Sequence, residues 1–310
     1  MQDLGDEFSA RTHRLIPHDT YMLIGLDPLS GGVCLHAERE GYRPEVRGAI
    51  EREAAALGGL SALGAVRVLT PGEDLARLPV RGRFMIEHGF TSELRVSLVE
   101  RGEVRGALVL VRGGGRPFSP REQELALEVS ASLAVELRWY VTGLPMSPVR
   151  LGEWHSGVAV IGSDDTIRTI TPSLRAILGS SWGAPVPDEV LFGSLSNTTY
   201  LARRSTGPVL TRLPSASGWI AMGGERIAGG EVVLTVVSPT AELLLPAIAA
   251  WYGITARERS VLEAALEGER PRGIARRFGL SPHTVNDHLK SIYRKTGVSG
   301  REELMASLSP

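Results

Sequence analysis

Residues 255–304 read TARERSVLEAALEGERPRGIARRFGLSPHTVNDHLKSIYRKTGVSGREEL. Thr255-Ala-Arg-Glu258 has the form of a capping box: the threonine hydroxyl accepts from the third helical amide, and the glutamate reaches back to the cap. Val261, Leu262, Ala265 and Leu266 follow at helical spacing, and Gly268 ends the helix. Pro271 suits the first position of a second helix, which turns Ile274, Ala275 and Phe278 inward. Gly279 supplies a tight turn. Ser281-Pro282 then opens a third helix, with serine as cap and proline in the first turn. That helix runs to about Thr296 before Gly297. Val285, Leu289 and Ile292 share one face of it, and His283, Asn286, Asp287, Lys290 and Arg294 the other. Ser299-Gly-Arg-Glu302 reads as a second capping box, opening a short helix with Leu304 and Leu308 inward.

The formal net charge is −1 over 310 residues, which taken alone argues against a nucleic-acid partner. The distribution reverses that inference. Residues 254–310 carry ten basic side chains against seven acidic ones, a net +3, and leave −4 for the rest of the chain. Within 270–301, eight basic residues stand against Asp287 alone. A compact basic module is the electrostatic footprint of a nucleic-acid binder. Two short helices joined by a glycine turn, the second polar and basic on its outer side, make a helix-turn-helix. Its second helix belongs in the major groove of double-stranded DNA. Asn286 and Lys290 are of the types that read base edges, each good pair contributing about 1–3 kcal/mol of discrimination. Surrounding arginines suit phosphates, whose contacts are sequence-blind and salt-dependent.

These features closely resemble the LuxR/GerE-type DNA-binding domain. The matching elements are T-x-R-E at 255–258, Ile274-Ala275, S-P-x-T-V at 281–285, His288-Leu289 and K-x-G-V-x-x-R at 295–301. The resemblance implies an all-α four-helix domain over 254–310, whose third helix reads DNA and whose fourth often mediates dimer contacts. Carried over residue by residue, it implies backbone contacts from Thr284 and His288 and base reading by Asn286 and Lys290. The expected DNA-binding set is Arg272, Arg276, Ser281, His283, Thr284, Asn286, Asp287, His288, Lys290, Arg294 and Lys295. Many members carry Lys and an aliphatic residue where this chain has Asn286-Asp287. A different preferred sequence is therefore expected, with Asp287 accepting from a cytosine amine.

Lys290 and Lys295 are the only lysines. A phosphate-cradling P-loop, a Schiff-base lysine and a kinase lysine are thus absent from residues 1–289. The lysine on which phospho-receiver domains rely is absent there too. Cys34, the single cysteine, allows no intrachain disulfide and no cysteine-based zinc site, and its neighbours suggest a buried strand thiol. The N-terminus is acidic and lacks the apolar core of a signal peptide. The apolar region at 232–256 is interrupted by Pro239, Glu242 and Pro246, so it reads as a strand and a helix, not a membrane span. A cytoplasmic location is expected.

Residues 1–143 alternate strand and helix patterns. Strands are expected at 21–26, up to Leu35, at 94–99 and at 106–111, with a polar hairpin over 100–103. Helices are expected at 44–57 and from Ser119-Pro120 to about Val141. The G-A-L-V-L strand at 106–110, the F-S-P-R-E segment at 118–122 and the long closing helix resemble a GAF domain. The Asn-Lys pair of cyclic-nucleotide GAF sites has no lysine to form it here. His13, His18, His36 and His88 show no metal-ligand spacing. Pro145 and Pro148 mark a linker. In 150–239, the G-V-A-V-I-G-x-D-D-x-I-R pattern, a helix at 172–179 and strands at 208–213, 217–222 and 231–237 resemble a PAS domain. Asp164 and Asp165 read as a hairpin turn, not as an acid/base pair. A helix over 240–253 would connect to the DNA module.

The expected fold class is therefore α+β for the GAF-like and PAS-like domains, followed by the all-α helix-turn-helix domain. The expected function is a transcriptional regulator, dimeric on paired half-sites, with no cofactor. A small-molecule signal and an RNA polymerase contact fit that role, while GAF and PAS folds also serve as ligand-free interaction scaffolds. An enzyme fused to a DNA module is disfavoured, since no nucleophile elbow, zinc signature or P-loop is present.

Overall fold

The structure is a computed structural model. It describes residues 1–39, 50, 66–71, 78–149, 156–179 and 188–308. The helix expected at 44–57 lies, apart from Ile50, outside the described residues. The chain forms two compact units. One comprises Met1–Tyr140, Ser156–Thr211 and Met222–Val236; the other comprises Val141–His155, Arg212–Ala221 and Val237–Pro310.

The first sheet contains β1 (Thr20–Leu26), β2 (Val33–Arg39), β3 (Val66–Leu69), β4 (Phe90–Glu100) and β5 (Glu103–Gly113), ordered β2-β1-β5-β4-β3 with antiparallel pairing throughout. Arg101 and Gly102 both take positive φ, 54° and 83°, as a two-residue primed hairpin turn requires. The period-two pattern of β4 and β5 divides the sheet into two faces. Leu94, Val96, Leu98, Leu108 and Leu110 pack with Tyr21 and Leu23 on one of them. Helices α1 (Gln2–His13) and α3 (Pro120–Thr142) cover that face. Gly106 makes the approach of α3 possible, because a Cβ there would lie 2.9 Å from Leu137 and 2.1 Å from the Ile24 carbonyl oxygen. Arg11 joins the two helices through a forked pair to Glu136 at 2.5 and 2.9 Å. On the opposite face, Met22, Val109 and Val111 pack with Phe84 of α2 (Pro79–Glu87) and with Ile50. The same face buries Glu93 with Arg81 and Arg95. Cys34 is a buried strand thiol, and burial raises its pKa.

The second sheet has the order β7-β6-β10-β9-β8. Its strands are β6 (Ser156–Ile161), β7 (Ile167–Ile170), β8 (Val209–Ser215), β9 (Gly218–Arg226) and β10 (Val232–Val237). Among the described residues, two helices lie between β7 and β8: α4 (Pro172–Gly179) and α5 (Asp188–Arg204). Asp164 and Asp165 occupy the β6–β7 turn. Asp164 accepts from the Thr166 amide and hydroxyl, which lower its pKa, and Asp165 pairs with Arg203 at 2.5 Å. Turn geometry thus accounts for both carboxylates.

Five helices complete the chain: α6 (Ala241–Tyr252), α7 (Ala256–Leu266), α8 (Pro271–Phe278), α9 (Pro282–Thr296) and α10 (Arg301–Leu308). The fold class is therefore α+β followed by a helical C-terminal domain, as the residue patterns predict. Among the described residues, no helix is long and apolar enough to cross a membrane.

Candidate nucleic-acid interface

The C-terminal helices are held by the devices legible in their sequence. Thr255 accepts from the Glu258 amide at 3.3 Å, and the Glu258 carboxylate accepts from the Thr255 amide at 2.7 Å, closing the capping box. Ser281 caps α9 by accepting from the Thr284 amide at 3.0 Å. Gly279 takes φ +64° at the turn between α8 and α9, a conformation that penalises a Cβ. Ile274, Ala275, Val285, Leu289, Ile292, Leu304 and Leu308 are buried, so the helices share one core. Phe278 is half-buried, with the guanidinium groups of Arg257 and Arg277 over its ring. The second capping box differs from the expected one. Because α10 begins at Arg301, Glu303 and not Glu302 reaches back to the Ser299 amide, at 2.6 Å.

The turn of α9, about 100° per residue, sorts its side chains. His283, Asn286, Asp287, Lys290 and Arg294 fall within one exposed arc, opposite the buried Val285, Leu289 and Ile292. Thr284 and His288 are half-buried on the flank. Ser281 is exposed at the cap, and Arg272 and Arg276 project from α8 one turn apart, both exposed. Asp287 is not isolated: His283 Nδ1 lies 2.9 Å from its carboxylate.

The ten basic residues of this region divide into two sets. Arg257 donates to the Phe278 carbonyl at 2.9 Å, and Arg259 pairs with Glu263 at 3.1 Å. Arg277 is held by Glu267 and Glu269, which raise its pKa. Arg301 donates to the carbonyls of Ala265 and Glu269 at 2.9 and 2.8 Å, closing the end of α7. Lys295 donates to the Gly253 carbonyl at 2.8 Å and to Glu258 at 2.6 Å. Arg270, Arg272, Arg276, Lys290 and Arg294 are all exposed and make no ion pair among the described residues. Arg270 was not singled out by sequence reasoning. Its signal is local: it precedes Pro271 at the cap of α8, two residues before Arg272.

Residues 253–308 match the family described as bacterial regulatory proteins, luxR family. A transcriptional regulatory protein of Hyphomicrobium methylovorum, SgaR, is 47% identical over 53 residues, which are 17% of this chain and 25% of that protein. An HTH-type transcriptional regulator of Mycobacterium bovis is 38% identical over 55 residues, 18% of this chain and 6% of its own length. The chain thus spans a quarter or less of the relatives it matches. Among solved structures, the third GAF domain of Slr1393 from Synechocystis is 12% identical over 44% of this chain and 92% of that one, with a TM-score of 0.35. A GAF domain/HD domain protein from Geobacter sulfurreducens is 16% identical over 44% and 91%, with a TM-score of 0.35. The C-terminal module is a LuxR-type helix-turn-helix domain.

Proposed function

We propose that the chain is a sequence-specific DNA-binding transcriptional regulator and not an enzyme. It acts as a homodimer in the cytoplasm, with RNA polymerase as a downstream partner. The domains of this proposal are a GAF-like domain over 1–143, a PAS-like domain over 150–239, a connecting helix over 240–253 and the reader over 254–310. The first two receive a small-molecule signal or hold the dimer.

One observation carries the reading: the exposed arc of α9 bears Lys290 and Arg294 beside Asn286, and the start of α8 and its outer side add exposed Arg270, Arg272 and Arg276, all five without an ion-pair partner among the described residues. In the proposed complex α9 lies in the major groove. Asn286 and Lys290 bond base edges, with Asp287 and His283 beside them. Ser281, Thr284 and His288 meet the sugar–phosphate backbone along the flank, and Arg270, Arg272, Arg276 and Arg294 neutralise phosphates. A ligand acts on this surface only through different affinities for two states of the protein.

Selection of random duplex DNA by the full chain tests the proposal. The expected result is an enriched motif of two related half-sites, spaced about 10 base pairs or a multiple of it. Selection at low salt that enriched no motif would overturn it.

A further inference from the structure

Lys295 belongs to the reading helix but not to its exposed arc. At about 100° per residue it falls about 120° from the centre of the arc formed by His283, Asn286, Asp287, Lys290 and Arg294. Its ammonium faces the rest of the module. One bond goes to the carbonyl of Gly253, the left-handed C-cap of α6, and another to Glu258 Oε2, which also accepts the Thr255 amide. The Glu258 side chain is 7% exposed and that of Lys295 24%. A single ammonium therefore bridges the last turn of α9, the capping box of α7 and the end of α6.

We propose that Lys295 is a positioning residue, which locks the C-terminal end of α9 to the α6–α7 turn and so sets how the arc is presented to DNA. The proposal rests on the DNA-reading role of α9. A reading helix must hold its side chains within a fraction of an ångström of base edges, so loosening one end costs specific binding first. Phosphate contacts, which tolerate displacement, persist.

The test measures the full chain on the duplex it selects and on a scrambled duplex, across a range of salt. Lys295→Met keeps the length of the stem and removes the charge. The ratio of specific to non-specific affinity is expected to fall about tenfold, in keeping with the loss of a charged hydrogen bond. The salt slope on the scrambled duplex is expected to stay at its wild-type value. Glu258→Gln retains an acceptor for the Thr255 amide and is expected to give a similar fall. The double variant is expected to lose no more than either single one, because the two residues act as one lock. Thermal melting of each variant separates this from unfolding, since a folded chain with a lowered ratio carries the result. A Lys295→Met slope shallower by about one, the value of one lost phosphate contact, would overturn the positioning role alone. So would additive losses in the double variant, or an unchanged affinity ratio. A wild-type chain that bound both duplexes equally would instead overturn the DNA-reading role, and the positioning role with it.

Discussion

On the exposed arc of α9, His283 Nδ1 stands 2.9 Å from the Asp287 carboxylate, one helical turn away. Asp287 is the only acid of the arc, and it would enter a groove lined by phosphates. Its negative charge opposes sequence-blind binding, and its acceptor atoms favour a base that donates. Asp287→Ala is therefore expected to raise affinity for scrambled DNA and to relax preference at one base pair by about 1–3 kcal/mol. Asp287→Asn, which removes the charge and keeps an acceptor, is expected to raise non-specific affinity while preserving part of the preference. Fluorescence anisotropy on a panel of single-base operator variants reads both effects. Equal changes at every position would assign Asp287 no part in base reading.

The division of the cations gives a second expectation. Arg270→Ala, Arg272→Ala, Arg276→Ala and Arg294→Ala each remove an exposed charge that no acid of the described residues neutralises. Each should weaken specific and scrambled duplexes to similar extents and reduce the salt slope by about 1. Arg277 is also exposed, yet Glu267 and Glu269 already hold it. Arg277→Ala should leave the slope close to that of the wild type. Lys290→Ala and Asn286→Ala should differ from both groups by lowering specific binding more than non-specific binding. Salt titrations of the seven variants check the ordering.

Much of the C-terminal module was legible because its signals are local. Thr255 and Glu258 are three residues apart, Ser281 adjoins Pro282, and Gly279 and Gly297 follow the helices they end. The β4–β5 hairpin and α3 were legible for the same reason. Helix α1 was not, since its face is mostly polar and it contains Gly5. Packing explains the glycine: a Cβ on Gly5 would lie 2.8 Å from the Tyr21 ring. Helix α5 was hidden by the run Ser196-Asn197-Thr198-Thr199, whose residue types favour turns. Within it Ser196, Thr198 and Thr199 are buried, the Thr199 hydroxyl donating to the Leu195 carbonyl at 3.0 Å, and half-buried Asn197 accepts from the Val33 amide at 2.8 Å. The role of Lys295 was illegible because its partner Glu258 is 37 residues earlier in the chain. The pattern places Lys295 on a basic helix, and only the tertiary structure turns it inward.

Two carboxylates that close helix N-termini predict acid sensitivity. Burial pushes the pKa of Glu258 up, but bonds from Lys295, Ser291 and Thr255 outweigh it and hold the value at about 2. Glu122 behaves alike: burial opposes, while bonds from Arg112 and Ser119 hold it at about 2. Both folded-state values lie below the ordinary 4.5. Their stabilisation is thus fully present above about pH 4.5 and is lost as pH falls towards 2. Thermal melts from pH 7 to pH 3 should show Glu258→Gln and Glu122→Gln less stable than wild type at neutral pH, by on the order of 2 kcal/mol. The differences should shrink at the acid end. A gap independent of pH would mean that the carboxylate charge is not what stabilises these caps.

Two glycines separate backbone conformation from space. Gly279 has φ +64°, and no atom lies within 4 Å of the point where a Cβ would stand, so only its left-handed backbone resists substitution. Gly279→Ala should destabilise the reader by about 1 kcal/mol, the cost of placing a Cβ in that region, and Gly279→Asn by less. Gly106 presents the opposite case, for an added Cβ would meet the Ile24 carbonyl of the paired strand as well as Leu137 of α3. Backbone cannot yield as a side-chain tip does. Gly106→Ala should therefore cost more, about 3 kcal/mol at the upper end of overpacking effects. Hydrogen exchange read by mass spectrometry locates each effect. Protection should fall in 271–296 for Gly279→Ala, and in β1, β5 and α3 for Gly106→Ala. Unchanged exchange in β1 and β5 of the Gly106→Ala chain would contradict the close approach of α3 to the sheet at that residue.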